Sequence, residues 1–389
     1  MSIRTPLPPG SDPLPDAGSF GPVSDPKAVS EALEAWFRVA ARPLPWRDPR
    51  SGYRALVSEV MLQQTQVSRV IEAFERFIAR FPGPAVLAAA PEPDVLAAWQ
   101  GLGYYRRARL LHAAARAIVE RHGGEVPASA AELEALPGIG RYTAAAIASI
   151  VHGERVPLVD GNVTRVLCRL ADAPGRMGDP ATERWAWRQA GSLVQACAAP
   201  GVTNEALMEL GATVCMPGTP DCARCPVAHA CAARAAGRQG EVPLPKRPAR
   251  RRTLRWAVLV DAGAEGVLLE RRPERGLWAS MMQPPTVEGS EHDDPAALAR
   301  TRCERFDAVG SFVHVTSHRD VEFCVFRARA PVSGAPGREA SVRVAQGMLG
   351  AHPLSNAAWR ALEVAGVGVR TPRAARPARR AGPSASTDS

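Results

Sequence analysis

The chain has 389 residues, 46% of them hydrophobic, enough for two domains with a core each, and no apolar run approaches the roughly 18 residues of a membrane span. Its net charge of +9 is uneven: residues 233–252 carry +6 and residues 370–389 carry +4, leaving the remainder close to neutral, so the charge is compatible with nucleic acid without defining a basic face. Of the 48 basic residues only Lys27 and Lys246 are lysines, which leaves little room for amine nucleophiles. Residues 1–26 are rich in Pro, Gly, Ser and Asp with Arg4 their one basic residue, and read as a disordered arm rather than a signal or transit peptide. From Ala28 to Phe37 the apolar spacing is helical. The turn Leu44-Pro45-Trp46-Arg47-Asp48-Pro49 breaks it. A long amphipathic helix is predicted over 53–80, with Glu59, Gln63 and Gln66 on one polar face. Its run Met61-Leu62-Gln63-Gln64-Thr65-Gln66 holds neutral amides where a solvent-facing helix favours charge pairs.

Further helices are predicted over 91–99, 108–121 and 130–136. Gly101-Leu102-Gly103-Tyr104-Tyr105-Arg106-Arg107 is a glycine-hinged turn that sets aromatics beside arginines, suited to base stacking and phosphate contact. Leu136-Pro137-Gly138-Ile139-Gly140-Arg141-Tyr142-Thr143 reads as helix stop, tight hairpin and new helix. Gly138 and Gly140 permit positive φ, and the unpaired amides opening the helix make an anion site suited to a DNA phosphate. Asp160, in Val159-Asp160-Gly161-Asn162, opens another helix, where Asp is also an ordinary cap. Nothing before residue 250 reads as a strand.

Cys215, Cys222, Cys225 and Cys231 fall close together in a turn-rich stretch, which argues for metal; the spacing leaves zinc and a 4Fe-4S cluster about equal. Cys168, Cys197, Cys303 and Cys324 are scattered and expected to be buried or inert. Residues 233–252 read as a basic linker. Beyond it, strands are predicted over 254–261 and 267–271, joined as a hairpin, and over 311–317 and 321–329, with helices over 295–306 and 356–364: an α+β domain of residues 253–366. Residues 367–389 read as a disordered basic tail.

Taken together, LPGIGRYT, the later Asp of VDGN and the four-cysteine spacing resemble the helix-hairpin-helix DNA glycosylases that carry a 4Fe-4S cluster. Pro45-Trp46-Arg47, Ser58-Glu59-Val60-Met61-Leu62-Gln63-Gln64-Thr65-Gln66 and Gly101-Leu102-Gly103-Tyr104-Tyr105 are similar to the adenine DNA glycosylase family within them. The resemblance covers about 27–330. It implies an all-α helix-hairpin-helix glycosylase domain over 27–232, with an iron–sulfur loop at 215–231, followed by a smaller α+β Nudix-like domain. The metal it implies is a 4Fe-4S cluster on Cys215, Cys222, Cys225 and Cys231. The partner it implies is double-stranded DNA with 8-oxoguanine:adenine or guanine:adenine mispairs, and we expect a cytoplasmic, nucleoid-associated monomer.

The chemistry this implies suits the residues. A flipped adenine needs an acid to make it a better leaving group and an anion to steady an oxocarbenium-like sugar. Glu59 would be the acid and Asp160 the anion, with Asn162 orienting water or Asp160, and Tyr142 lining the pocket. Trp46 lies near Glu59, and by resemblance Arg47 and Glu205 contact adenine. Leu62, Gln64 and Tyr104 would wedge into the duplex, with Gly138 and Gly140 at the DNA backbone. In the second domain the resemblance assigns 8-oxoguanine recognition to Thr316, Ser317 and His318, with Thr316 where the family usually has an aromatic. No Glu-rich Nudix box is present, which argues against pyrophosphatase activity. The rival readings are an endonuclease III-like pyrimidine glycosylase and lyase, and a non-catalytic iron–sulfur DNA-binding protein.

Overall fold

A computed structural model describes residues 20–247, 251–274, 276–316, 318–334 and 341–367. The expectations for residues 1–19, for Ser317 and for the tail beyond Val367 lie outside the described residues. The chain divides into two compact units, split at Pro248 and Ala249. Among the described residues no helix is long and apolar enough to cross a membrane.

The first unit is all helical. Its helices are α1 (Pro26–Ala40), α2 (Gly52–Leu62), α3 (Val67–Arg80), α4 (Pro84–Ala89), α5 (Glu92–Ala98) and α6 (Arg106–His122). Then follow α7 (Ala130–Glu134), α8 (Arg141–His152), α9 (Gly161–Leu170), α10 (Pro180–Ala196), α11 (Pro200–Thr213) and the short α12 (Ala232–Ala235). The buried side of α8 is largely alanine, Ala144, Ala145, Ala146 and Ala148, which lets α2, α7 and α11 approach it closely. One core gathers Leu33 and Phe37 of α1, Val163, Val166 and Leu167 of α9, Trp185 and Leu193 of α10, and Leu207 and Leu210 of α11.

Three expectations are corrected here. The helix predicted over 53–80 is two helices, broken at Gln63–Gln66, so Glu59, Gln63 and Gln66 share no helical face. Gln64 takes a left-handed φ of 56°, and the carbonyls of Val60, Met61 and Gln63 accept from the guanidinium of Arg107. That competition for helix acceptors comes from a distant residue. The last residues of the expected arm are packed: the Phe20 ring lies edge-on against Trp185 at 5.9 Å, and buried Val23 donates its N–H to Gln189 Oε1 at 2.9 Å. The basic linker begins later than 233, because Val242 is buried and accepts from Arg169, while the Leu244 N–H bonds Gly175.

The second unit is α+β. Its elements are β1 (Arg252–Val260), β2 (Ala262–Gly263), β3 (Gly266–Arg271), β4 (Met282–Gln283), β5 (Thr286–Val287), α13 (Pro295–Arg300), β6 (Phe306–Val315), β7 (Arg319–Ala328), β8 (Val342–Val344) and α14 (Asn356–Val364). One sheet has the order β5-β1-β7-β6, the other β2-β3-β4 with β8 beside β3. The predicted hairpin of 311–317 with 321–329 is present as β6 and β7, starting earlier at Phe306. The hairpin of 254–261 with 267–271 is not. The turn joins β3 only to the two-residue β2, whereas β1 pairs in parallel with β7, from Arg252 opposite Arg319 to Val260 opposite Arg327. The helix expected over 295–306 stops at Arg300, and Phe306 opens a strand. Trp256, Val258, Phe312, Phe323 and Val325 pack under α14, whereas Ala257, Leu259 and Phe326 pack with Ala299 of α13 on the other face. Period-two alternation thus buries both faces of the central strands. Val367, one residue beyond the predicted end, is buried.

Candidate active site

A cavity of about 380 Å³ opens in the helical unit, and it gathers residues from separate parts of the sequence. Trp46 and Arg47 come from the turn after α1, Glu59 and Leu62 from α2, Gln64 from the break, Tyr142 from α8, Asp160 and Asn162 from the start of α9, and Glu205 from α11. Tyr104, Gly138 and Gly140 are not among its lining residues. Neither is Lys27, whose amine pairs with Glu31 at 3.9 Å, nor Lys246, which lies against Gly178.

Glu59 is half-buried, and its carboxyl is pushed up to about 7. Burial is the main cause. A hydrogen bond with Tyr142 opposes it, and the charges of Asp160 and Glu205 add to it. The Tyr142 hydroxyl also reaches Met208 Sδ at 3.1 Å. One O–H has one proton to give, so when Tyr142 donates to an ionised Glu59, as the lowering of that carboxyl requires, the bond to the sulfur is given up. Burial, then the neighbouring carboxylates, holds the Tyr142 phenol well above its usual range.

Asp160 caps α9: its Oδ1 accepts from the Val163 N–H at 2.7 Å and its Oδ2 from Asn162 Nδ2 at 3.1 Å. Burial raises its carboxyl, while the bonds from Val163 and Asn162 and the charge of Arg165 pull the other way. Asn162 is itself held, its Oδ1 accepting from Arg165 Nη2 at 2.9 Å. Gly211 of α11 lies so close that an added Cβ would stand 2.6 Å from the Cβ of Asn162. Asp160 is thus both the expected cap and a lining residue of the cavity.

The cavity lining also carries a charge network. Arg47 donates Nε to Glu205 Oε1 at 3.0 Å and Nη2 to Glu209 Oε2 at 3.1 Å, over the ring of Phe37. Arg50 pairs with Glu205 Oε2 at 2.8 Å, and Arg42 Nε with Glu209 Oε1 at 2.5 Å. Burial would raise the Glu209 carboxyl, but Arg42 and Arg47 take it below the usual range. Sequence reasoning missed Glu209, Arg42 and Arg50. The available signal was the i, i+4 spacing of Glu205 and Glu209 on α11. Trp46 packs edge-on against Phe74 at 5.5 Å.

Outside the cavity, Gly138 adopts φ 76°, and a Cβ there would stand 2.5 Å from Leu110 Cβ, so the hairpin needs glycine twice over. Gly140 does not: it caps α8 with extended backbone at φ −98°, against the expectation of positive φ. It leaves α8 without a side-chain cap, its first amides unclaimed by any cap. Tyr104 has φ 49° and is 52% exposed, so it is no core aromatic.

Cys215, Cys222, Cys225 and Cys231 line one small cavity. Burial pushes the Cys225 thiol up to about 11, and Arg169 Nη1 approaches Cys215 Sγ at 3.3 Å. Among the described residues no three His, Cys, Asp or Glu are grouped to hold a metal ion. Cys168, Cys197 and Cys303 are buried as expected, whereas Cys324 is partly exposed.

In the second unit, Thr316 and His318 sit in the β6–β7 turn. The Thr316 hydroxyl accepts from the Arg319 N–H at 3.0 Å and donates to the Arg319 carbonyl at 2.8 Å, so this residue fastens the turn. His318 is exposed. His314 is half-buried against Trp278 at 5.2 Å, its imidazole pushed down by burial and then by Arg360.

Comparison with known proteins agrees with these features. Residues 57–190 match the HhH-GPD superfamily base excision DNA repair protein family, and residues 255–364 match the NUDIX domain. The adenine DNA glycosylase of Mus musculus is 36% identical over 382 residues, covering 82% of this chain and 74% of the mouse protein. That of Mycobacterium tuberculosis is 43% identical over 217 residues, covering 55% of this chain and 71% of its own. A solved thermostable thymine-DNA glycosylase matches 54% of this chain and 97% of its own at 25% identity, with a TM-score of 0.48. With its helix-hairpin-helix and Nudix-like units in that order, this chain belongs to the adenine DNA glycosylase family, DNA-binding N-glycosylases of base excision repair.

Proposed function

We propose that this protein excises adenine mispaired with 8-oxoguanine or guanine by hydrolysis, and leaves the DNA backbone uncut. The observation that carries the reading is one cavity flanked by Glu59, held at about 7, and Asp160, held by Val163 and Asn162. The adenine is flipped into this cavity, since its glycosidic bond is out of reach inside the duplex. Leu62, Gln64 and Tyr104 fill the space it leaves. The base lies against Trp46 and the Arg47–Glu205 pair. Glu59 gives its proton to N7, the C1′–N9 bond breaks with its electron pair on adenine, and Asp160 faces the sugar cation. Water then adds to C1′ and loses a proton to a carboxylate, with Asn162 and Tyr142 fixing Asp160 and Glu59. A lyase would need an amine for a Schiff base. Tyr142 is a phenol, and no lysine lines the cavity.

The test uses a duplex with one 8-oxoguanine:adenine pair. Adenine should be released in a single turnover, strand breaks should appear only after alkali, and borohydride should trap no covalent complex. Strand scission at neutral pH together with efficient trapping would overturn the hydrolytic reading.

The four cysteines are proposed to hold a 4Fe-4S cluster. All four cysteines line one small cavity, and an all-thiolate donor set suits a 4Fe-4S cluster, the group the family resemblance implies. When bound, the cluster would supply a rigid loop at 215–231. Protein purified anaerobically should be yellow-brown and contain about four irons per chain. Colourless protein with one zinc would contradict this.

The β6–β7 turn is proposed to recognise the base opposite adenine through Ser317 and His318. Thr316, bonded to Arg319, fastens the turn in place of an inserted aromatic. His318→Ala should leave adenine excision opposite guanine within about twofold of wild type. It should lower the preference for 8-oxoguanine several-fold, the worth of one or two hydrogen bonds. An unchanged preference would remove His318 from this role.

A further inference from the structure

We propose that Arg107 is a positioning residue that locks the two DNA-probing loops, 63–66 and 101–104, into one rigid wedge for base flipping. The inference rests on the reading of Gln64 and Tyr104 as wedge residues. Arg107 lies in the first turn of α6, is buried, and its guanidinium faces carbonyls of both loops. Nη1 donates toward the carbonyls of Val60 at 2.9 Å, Met61 at 2.8 Å and Gln63 at 2.6 Å. Nη2 reaches Thr65 Oγ1 at 3.0 Å and the carbonyls of Leu102 and Gly103, each at 3.2 Å. A second tie comes from Trp99, whose Nε1 donates to the Gly103 carbonyl at 3.1 Å and whose ring lies under the guanidinium at 5.5 Å.

The geometry of the loops explains why they need such a tie. Each carries a non-glycine residue in the left-handed region, Gln64 at φ 56° and Tyr104 at φ 49°, which costs free energy that the surroundings must supply. The end of α2 leaves carbonyls without helical partners, and Arg107 takes them. Its charge lies 5.5 Å from the centroid of the Tyr104 ring. A lysine here keeps the charge but cannot span both loops, because its donors radiate from one atom. A wedge pays for unstacking only if it does not yield when pushed into the duplex, so loosening the tie should weaken flipping and spare the chemistry.

The experiment uses the full chain, with Arg107→Lys and the milder Thr65→Val, which removes the bond from Arg107 and the long 3.4 Å bond from the Thr65 hydroxyl to the Gln63 carbonyl. Unstacking is read from 2-aminopurine placed beside a non-hydrolysable adenosine opposite guanine. Excision is read in single turnovers on a guanine:adenine pair and on adenine opposite an abasic analogue, where less stacking must be broken. Arg107→Lys should lose at least half of the fluorescence rise and slow the guanine:adenine reaction about tenfold or more, while slowing the abasic substrate no more than about threefold. Thr65→Val should move the same readouts in the same direction, by about twofold to threefold. Equal slowing of both substrates, or an unchanged fluorescence rise, would overturn the proposal. If Arg107→Lys does not fold, Thr65→Val decides alone, and unchanged fluorescence overturns it. Gln64→Ala and Tyr104→Ala separate the two levels: if neither lowers the fluorescence, the wedge reading itself falls. If both lower it and Arg107→Lys does not, only the role of Arg107 falls.

Discussion

Glu59→Gln should stop adenine release and at the same time make the protein more stable at neutral pH. Gln fills the same volume but has no proton to give to N7, so single-turnover excision should slow about a thousandfold, within the range for loss of a general acid. The stability effect follows from linkage. Burial raises the Glu59 carboxyl from 4.5 to about 7 in the folded protein. A raised folded value means that the stability contribution is fully present below the unfolded value and is lost as pH climbs through about 7. Glutamine carries no such dependence. The variant should therefore melt close to wild type near pH 4 and above it at pH 8, by up to about 3 kcal/mol. Calorimetry at the two pH values checks this. A variant less stable at both would mean that Glu59 is a structural residue.

Asp160→Asn should cost about as much activity by a different route. Asparagine is as good an N-cap as aspartate, so the bond to the Val163 N–H survives and α9 should keep its start. What disappears is the negative charge facing the sugar cation, and single-turnover excision should fall by about a thousandfold. Affinity for an uncut mispair should change little, because the lost interaction belongs to the transition state. Since Glu59 and Asp160 act on one bond-breaking event, the double variant should be scarcely slower than the worse single one. Excision within tenfold of wild type in Asp160→Asn would show that another group steadies the cation.

What could be seen in the sequence was local. Asp160 before its helix, the Pro137-Gly138 hairpin and the cysteine spacing each depend on neighbours in the chain, and each is where it was expected. The break after Leu62 was not visible, since it depends on a guanidinium from α6 that takes the carbonyls a longer helix would have used. Glu209 was missed for the same kind of reason: its partners Arg42 and Arg47 come from the far end of the unit. In the second unit, β6 and β7 form a hairpin across a short turn and were legible. β1 pairs with β7 with Arg252 opposite Arg319, a separation in sequence that no local turn signal can report. Composition misled at both ends of the helical unit: Phe20 and Val23 of the expected arm are packed. The basic run from residue 233 looks like a linker, yet Val242 and Leu244 pack against the helical unit.

The central claim is that a protonated Glu59 starts the reaction inside this cavity, and the pH dependence of single-turnover excision tests it most directly. On a guanine:adenine duplex between pH 5 and 9, the rate should fall as pH rises through about 7, where Glu59 gives up its proton. The residual rate of Glu59→Gln should show no such fall. A wild-type rate that stays level from pH 6 to 8, or a Glu59→Gln variant that keeps the same descending limb, would contradict the account.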